Sequence, residues 1–233
     1  MDIYETDPEF AERFAYFLQN EVLQEPGQQL DSKTRYMAIF AALMGCQAEG
    51  AYREVLAEAL DSGLSPIAVK ETVYQATDYL GYGKMLPFLH RTNELLSERG
   101  VPLPLKGQAT TTLDDRLEKG VQIQADIFGE QMKEAWKAGH INRWLAANCF
   151  GDYYTRTGLS LAQRELITFC FLMAQGGCEP QLTAHAKGNM DIGNDKDFLM
   201  RVISQCLPYI GYPRSLNAIA CINRAEKEMQ EVK

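Results

Sequence analysis

Apolar residues along this chain recur every three or four positions. Phe10, Phe14, Phe17 and Leu18 share one helical face, as do Met37, Phe40, Ala41 and Met44, and later Leu166, Phe169, Cys170 and Met173. Runs of alternating polar and apolar residues are missing, and turn signals fall about every 15 to 25 residues, a spacing of helices rather than strands. The pattern predicts an all-α chain. Residues 101–114 break it with two prolines and a run of threonines, and read as a linker.

The segments on either side of that linker match at a nearly constant offset. At a shift of 129, Arg35, Phe40, Leu43 and Met44 fall on Arg164, Phe169, Leu172 and Met173. After one inserted residue near Gly176-Gly177 the shift becomes 130, pairing Asp61 with Asp191, Gly63 with Gly193, Gln75 with Gln205, Tyr79 with Tyr209 and Gly81 with Gly211. Each half then reads as a helix, a turn, a second helix stopped by a glycine (63 or 193), a third helix, and Gly-Tyr-Gly or Gly-Tyr-Pro opening a fourth. The predicted organisation is a repeat over 1–100, the linker 101–114, and a second repeat over 115–233.

Composition narrows the function. The chain has 233 residues, 46% hydrophobic and 23% charged, with a net charge of −8. No segment concentrates its basic residues, so nucleic acid and anionic membrane are poor partners. Its longest apolar stretch, Leu166 to Ala174, has nine residues and includes a threonine, well short of the roughly 20 that span a bilayer. The acidic N-terminus does not read as a secretory signal, and the six scattered cysteines suit reduced thiols. A cytoplasmic protein is expected.

Reactive side chains gather only in the second half, at Glu165, Cys178, Gln181 and His185. Pro180 favours a helix start there, which would place Cys178 just outside the N-terminus, where helix dipole and free amides lower a thiol pKa. Gln181 and His185 lie four apart on one face. Cys178 and His185 are seven apart, about 10 Å along a helix axis, so a bridge is needed: Gln181, a water, or the Glu165 carboxylate from the preceding helix. A carboxylate facing His185 would fix its tautomer, as a proton-transfer residue requires. Arg156 and Arg164 are candidate anchors for a substrate carboxylate. His90 and His140 lack partners at ligand spacing, so no metal site is expected.

These residues carry a resemblance. Phe150-Gly151-Asp152-Tyr153-Tyr154-Thr155-Arg156-Thr157-Gly158-Leu159, Arg164, Gln181-Leu182-Thr183-Ala184-His185 and Tyr209-Ile210-Gly211-Tyr212-Pro213 are similar to motifs of the carboxymuconolactone decarboxylase and alkylhydroperoxidase D-like superfamily. The match covers most of 115–233, with a weaker copy over about 10–100. It implies two tandem alkylhydroperoxidase D-like helical repeats forming a pseudo-dimer, and a homo-oligomer.

The chain departs from both branches. Gln181 replaces the decarboxylases' glutamate, and Gln205 stands where a second histidine often occurs. In the hydroperoxidase pattern Gln181 occupies the second cysteine, so recycling would need another cysteine or an external thiol reductant. In the first half Ala51 and Val55 fall on Gln181 and His185, so that half reads as mainly structural, with Glu71, Gln75 and Tyr79 still able to line a wall.

The leading expectation is a cofactor-free enzyme acting on a small carboxylated substrate, with His185 and Glu165 catalytic and Gln181, Arg164, Arg156, Gln205 and Tyr209 contacting substrate. The alternatives are a peroxidase using Cys178 as nucleophile and a non-catalytic binding or scaffold protein.

Overall fold

A computed structural model describes residues 3–231, and within them all regular structure is helical. The N-terminal part holds α1 (Ile3–Thr6), α2 (Pro8–Tyr16), which continues as a wider π-wound stretch Phe17–Val22, and then α3 (Ser32–Gly45), α4 (Glu49–Asp61), α5 (Pro66–Leu80) and α6 (Tyr82–Glu98). No helix lies between Glu98 and Arg116. There follow α7 (Arg116–Phe128), the short α8 (Met132–Ala135), and α9 (His140–Trp144), which runs into a π-wound segment Leu145–Tyr154. Last come α10 (Leu161–Gln175), α11 (Glu179–Asp191), α12 (Lys196–Ile210) and α13 (Tyr212–Glu231). Among the described residues no helix is long and apolar enough to cross a membrane.

Local chemistry explains where the helices start. Asp31 caps α3 by accepting from the Thr34 amide, Ser65 caps α5 ahead of Pro66, and Asp195 caps α12 by accepting from the Phe198 amide. Ser160 and Gln163 form a reciprocal capping box at α10. The segment before it is fixed by contact: a Cβ on Gly120 would lie 1.9 Å from the Ala146 carbonyl oxygen, and one on Gly151 would lie 2.1 Å from that of Arg116. Only glycine at both positions lets α7 cross the π-wound segment so closely.

The core is built on α3 and α10, which pack against each other. Arg164 to Ala174 are all buried, and Met37 to Gly45 likewise, so both helices are enclosed on every side rather than presenting one apolar stripe. Around this pair the third helices cross over: α5 packs on α10 and α12 on α3. Buried polar contacts follow the same pattern. Arg164 Nη1 donates to Gln75 Oε1 at 2.9 Å, and Arg35 Nε donates to Gln205 Oε1 at 3.0 Å. A helix of each half therefore faces the other half, and this crossing decides which residues meet at the site.

Candidate functional site

His185, on α11, is the centre of a buried hydrogen-bond network. Its Nδ1 lies 2.8 Å from Oε2 of Glu165, which α10 holds with no solvent exposure. A carboxylate only accepts, so Nδ1 carries a hydrogen and Nε2 is the ring nitrogen that Glu165 leaves unengaged. Tyr154 donates to the other carboxylate oxygen at 2.6 Å. With its hydrogen committed there, the Tyr154 oxygen accepts from its neighbours: Tyr79 at 3.0 Å and Thr168 at 2.8 Å. Gln75 in turn donates to Thr168, and Arg164 to Gln75. The donors all converge on Glu165. Burial, reinforced by the Glu165 charge, pushes the Tyr154 phenol well above its ordinary value and keeps it a donor.

Packing fixes the imidazole from both faces. The rings of Tyr79 and Phe128 meet it edge-on, at 5.5 and 5.3 Å between centroids. Asn189 ties the helices together by donating to the Glu165 and His185 carbonyls at 3.0 and 2.8 Å. One turn beyond the histidine, Gly188 leaves the necessary room, since a Cβ there would approach Ile127 to 2.8 Å and both Phe128 and Glu165 Oε2 to 3.0 Å.

His185 is 8% exposed and borders a cleft of about 920 Å³. The volume suits a small organic molecule. Tyr79, Phe128 and Phe150 give it apolar walls, while Gln124, Gln175 and Gln181 contribute amides. Among the described residues six buried side-chain polar atoms lack a partner, and three of them, Asp78 Oδ2, Gln124 Oε1 and Thr183 Oγ1, belong to residues lining this cleft.

Of the candidates from sequence, His185, Glu165, Cys178 and Gln181 come together around this cleft, Glu165 one layer behind its wall. Cys178 differs from expectation in its chemistry. It stands at the N-cap position of α11, where burial pushes its thiol up, with long contacts to the Leu172 carbonyl at 3.5 Å and the Gln175 amide at 4.0 Å.

The remaining four lie elsewhere. Arg164 is 1% exposed and donates to Gln75, to Glu71 Oε2 at 3.0 Å and to the Arg156 carbonyl at 2.8 Å. Arg156 grips both oxygens of the same Glu71. Glu71 engages both guanidiniums, and neither arginine is among the residues that line the cleft. Gln205 is fully buried between Arg35 and the Gln28 carbonyl. Tyr209 lies among Arg35, Glu58 and Tyr36 of the first half, because α12 crosses onto α3.

Sequence reasoning missed Asp78, Tyr154, Phe128 and the cleft cations Lys187 and Arg224. Tyr154 stands inside a motif quoted above, but no spacing rule marks it as Glu165's donor. Asp78 sits next to Tyr79 on α5. Burial, with the nearby Asp152 charge, raises its carboxyl to about 7.

The chain is a helical bundle that buries a histidine–carboxylate pair behind a partly apolar cleft, and comparison with known proteins shows what it is similar to. The family model for the carboxymuconolactone decarboxylase family matches residues 140–224, which include His185, Glu165 and Tyr154. Over that segment the chain is similar to the carboxymuconolactone decarboxylase family. It is 25% identical over 130 residues to 4-carboxymuconolactone decarboxylase of Acinetobacter baylyi (strain ATCC 33305 / BD413 / ADP1), an alignment spanning 50% of this chain and 90% of that protein. A crystal structure from Burkholderia xenovorans LB400, provisionally described as a gamma-carboxymuconolactone decarboxylase subunit, shares the fold. It has a TM-score of 0.50 at 22% identity, covering 97% of this chain and 90% of its own.

Proposed function

We propose that this protein is a decarboxylase-type enzyme acting on a small carboxylated organic molecule, with His185 delivering the proton that replaces the lost carboxyl group. The observation that carries the reading is the imidazole at the wall of the cleft with Nδ1 anchored to buried Glu165. That anchor orients the ring and leaves Nε2 for the substrate. The A. baylyi relative's name makes 4-carboxymuconolactone the first compound to assay.

In the proposed step the bond to the carboxylate breaks, carbon dioxide leaves, and the electron pair moves into a neighbouring carbonyl. Nε2–H of the imidazolium then protonates carbon, and the neutral imidazole takes a proton back from water. No step in this scheme calls for a cofactor. Anchoring of the substrate's carboxylates falls to Lys187 and Arg224. They line the cleft and are without an ion pair among the described residues, in the place first expected for Arg156 and Arg164. The raised Cys178 thiol weighs against a thiolate peroxidase, because the thiolate is the nucleophile in such chemistry.

The two halves read as copies with one working site. Helices α3 to α6 and α10 to α13 begin at residues 32, 49, 66, 82 and 161, 179, 196, 212. The offset of 129 or 130 puts Tyr36, Val55 and Pro208 where the site has Glu165, His185 and Asp78. The test is release of carbon dioxide from 4-carboxymuconolactone and related carboxylated lactones. Turnover by the native protein, lost in His185→Gln with thermal stability kept, supports the reading. Binding of these compounds in the cleft with no carbon dioxide released would overturn it.

A further inference from the structure

Asp78 lines the cleft, with the Cys149 thiol as a hydrogen-bonding neighbour. It comes from α5, in the half of the chain whose own site has lost its histidine. It lines the same cavity as His185, beside Tyr79, whose ring packs against the imidazole. Its Oδ2 is sealed from solvent and receives no hydrogen bond. The groups facing it offer no positive charge. The π-wound segment presents the Cys149 thiol, Tyr153 and Asp152, and Asp152 is itself paired with Arg116 at 2.8 Å. Tyr79 flanks it on its own helix, its hydroxyl committed to Tyr154. The His185–Glu165 pair and, further out, Lys187 and Arg224 line other parts of the same cleft.

Burial there disfavours the charged form of the carboxyl. We infer that Asp78 is a second catalytic residue: its protonated carboxyl group donates a hydrogen bond to the substrate carbonyl oxygen on which charge collects as carbon dioxide leaves. The inference rests on the decarboxylase reading above and supplies what that reading lacks, a donor for the developing oxyanion. The division of labour follows. Asp78 hydrogen-bonds oxygen without losing its proton, while His185 gives its proton to carbon, so the substrate exchanges a carboxylate for a hydrogen and nothing is oxidised or reduced. Burial and the Asp152 charge keep the carboxyl a donor up to about neutral pH. The ligand class is correspondingly narrow: a carboxylate conjugated to, or one carbon removed from, a carbonyl group.

The experiment compares native protein, Asp78→Asn and Asp78→Ala in carbon dioxide release from the carboxylated lactone across pH 5 to 9. Asp78→Ala should lower kcat about a hundredfold, the usual effect of removing one oxyanion donor, and Asp78→Asn about tenfold, since an amide still donates. KM should stay within about twofold because the bond strengthens only in the transition state. The fall of native kcat above pH 7 should vanish in Asp78→Asn. Native kcat and pH profile retained in Asp78→Ala would overturn the inference while leaving the decarboxylase reading intact. Should the native protein release no carbon dioxide, that reading fails, and infrared difference spectra with muconate as probe still decide on Asp78. A protonated carboxyl band at pH 6, absent from Asp78→Asn and shifted by muconate, supports a donor facing the cleft; an ionised or unshifted carboxyl overturns it.

Discussion

Replacing Asp78 by asparagine should change how stability depends on pH, and the size of the change follows from the site. The unfolded chain holds this carboxyl at its ordinary 3.8, whereas the folded cleft raises it to about 7. Between those values the native state binds more protons than the unfolded state, so stability falls as pH rises through the window and levels off above it. Each pH unit is worth about 1.4 kcal/mol, and roughly three units give a ceiling near 4 kcal/mol of burial strain at pH 8. Asparagine carries no charge at any of these pH values and escapes the penalty. Urea denaturation at pH 4.5, 6 and 8 should therefore show Asp78→Asn close to the native protein at the lowest pH and more stable by about 2–4 kcal/mol at the highest. Other carboxylates titrate in both proteins alike, so the difference between them isolates residue 78. A variant equally or less stable than the native protein at pH 8 would refute the argument that burial disfavours the charge on this carboxyl.

Three further outcomes follow from the geometry. Tyr154→Phe removes a bond to a buried carboxylate and leaves the Tyr79 and Thr168 hydroxyls short of an acceptor, and calorimetry should show a loss of about 3 kcal/mol, with a Tm roughly 6–12 °C lower. Gly188→Ala forces a methyl against Ile127, Phe128 and Glu165 Oε2; overpacking of about 1–3 kcal/mol is expected, and the His185 ring nitrogens should shift in NMR as Nδ1 parts from Glu165. Lys187→Met and Arg224→Met should each raise KM for a carboxylated substrate about tenfold with kcat little changed, the cost of one charge-assisted contact.

Much of the fold was legible because its signals are local. Asp31, Ser65, Ser160 and Asp195 announce helix starts, and the three-to-four spacing announces the helices between them. His185 and Glu165 were legible too, since both stand in the second half and the carboxylate arrives from the helix just before. What escaped depends on contacts across the chain. Tyr79 and Tyr154 meet over 75 residues, and Arg156 finds Glu71 over 85. An arginine at a helix start carries the same chemistry whether it awaits a substrate or a buried glutamate, so sequence alone does not reveal the pairing of Arg156 and Arg164 with Glu71. Tyr209 and Gln205 were misplaced for a different reason: each half reads as self-contained, but the third helices cross. The same crossing brings Asp78 into the cleft that His185 borders. Nor does composition foretell the π-wound stretch Leu145–Tyr154 that aims Tyr154 at Glu165.

The central claim is that the His185 imidazole, oriented by Glu165, gives its proton to a substrate in the cleft. It is tested most directly by the rate of carbon dioxide release from a carboxylated lactone in His185→Gln beside the native protein, with melting temperatures measured on the same samples. The account expects a fall of at least a thousandfold, the scale of a lost proton donor, at nearly unchanged melting temperature. Native rates in the His185→Gln protein would contradict it.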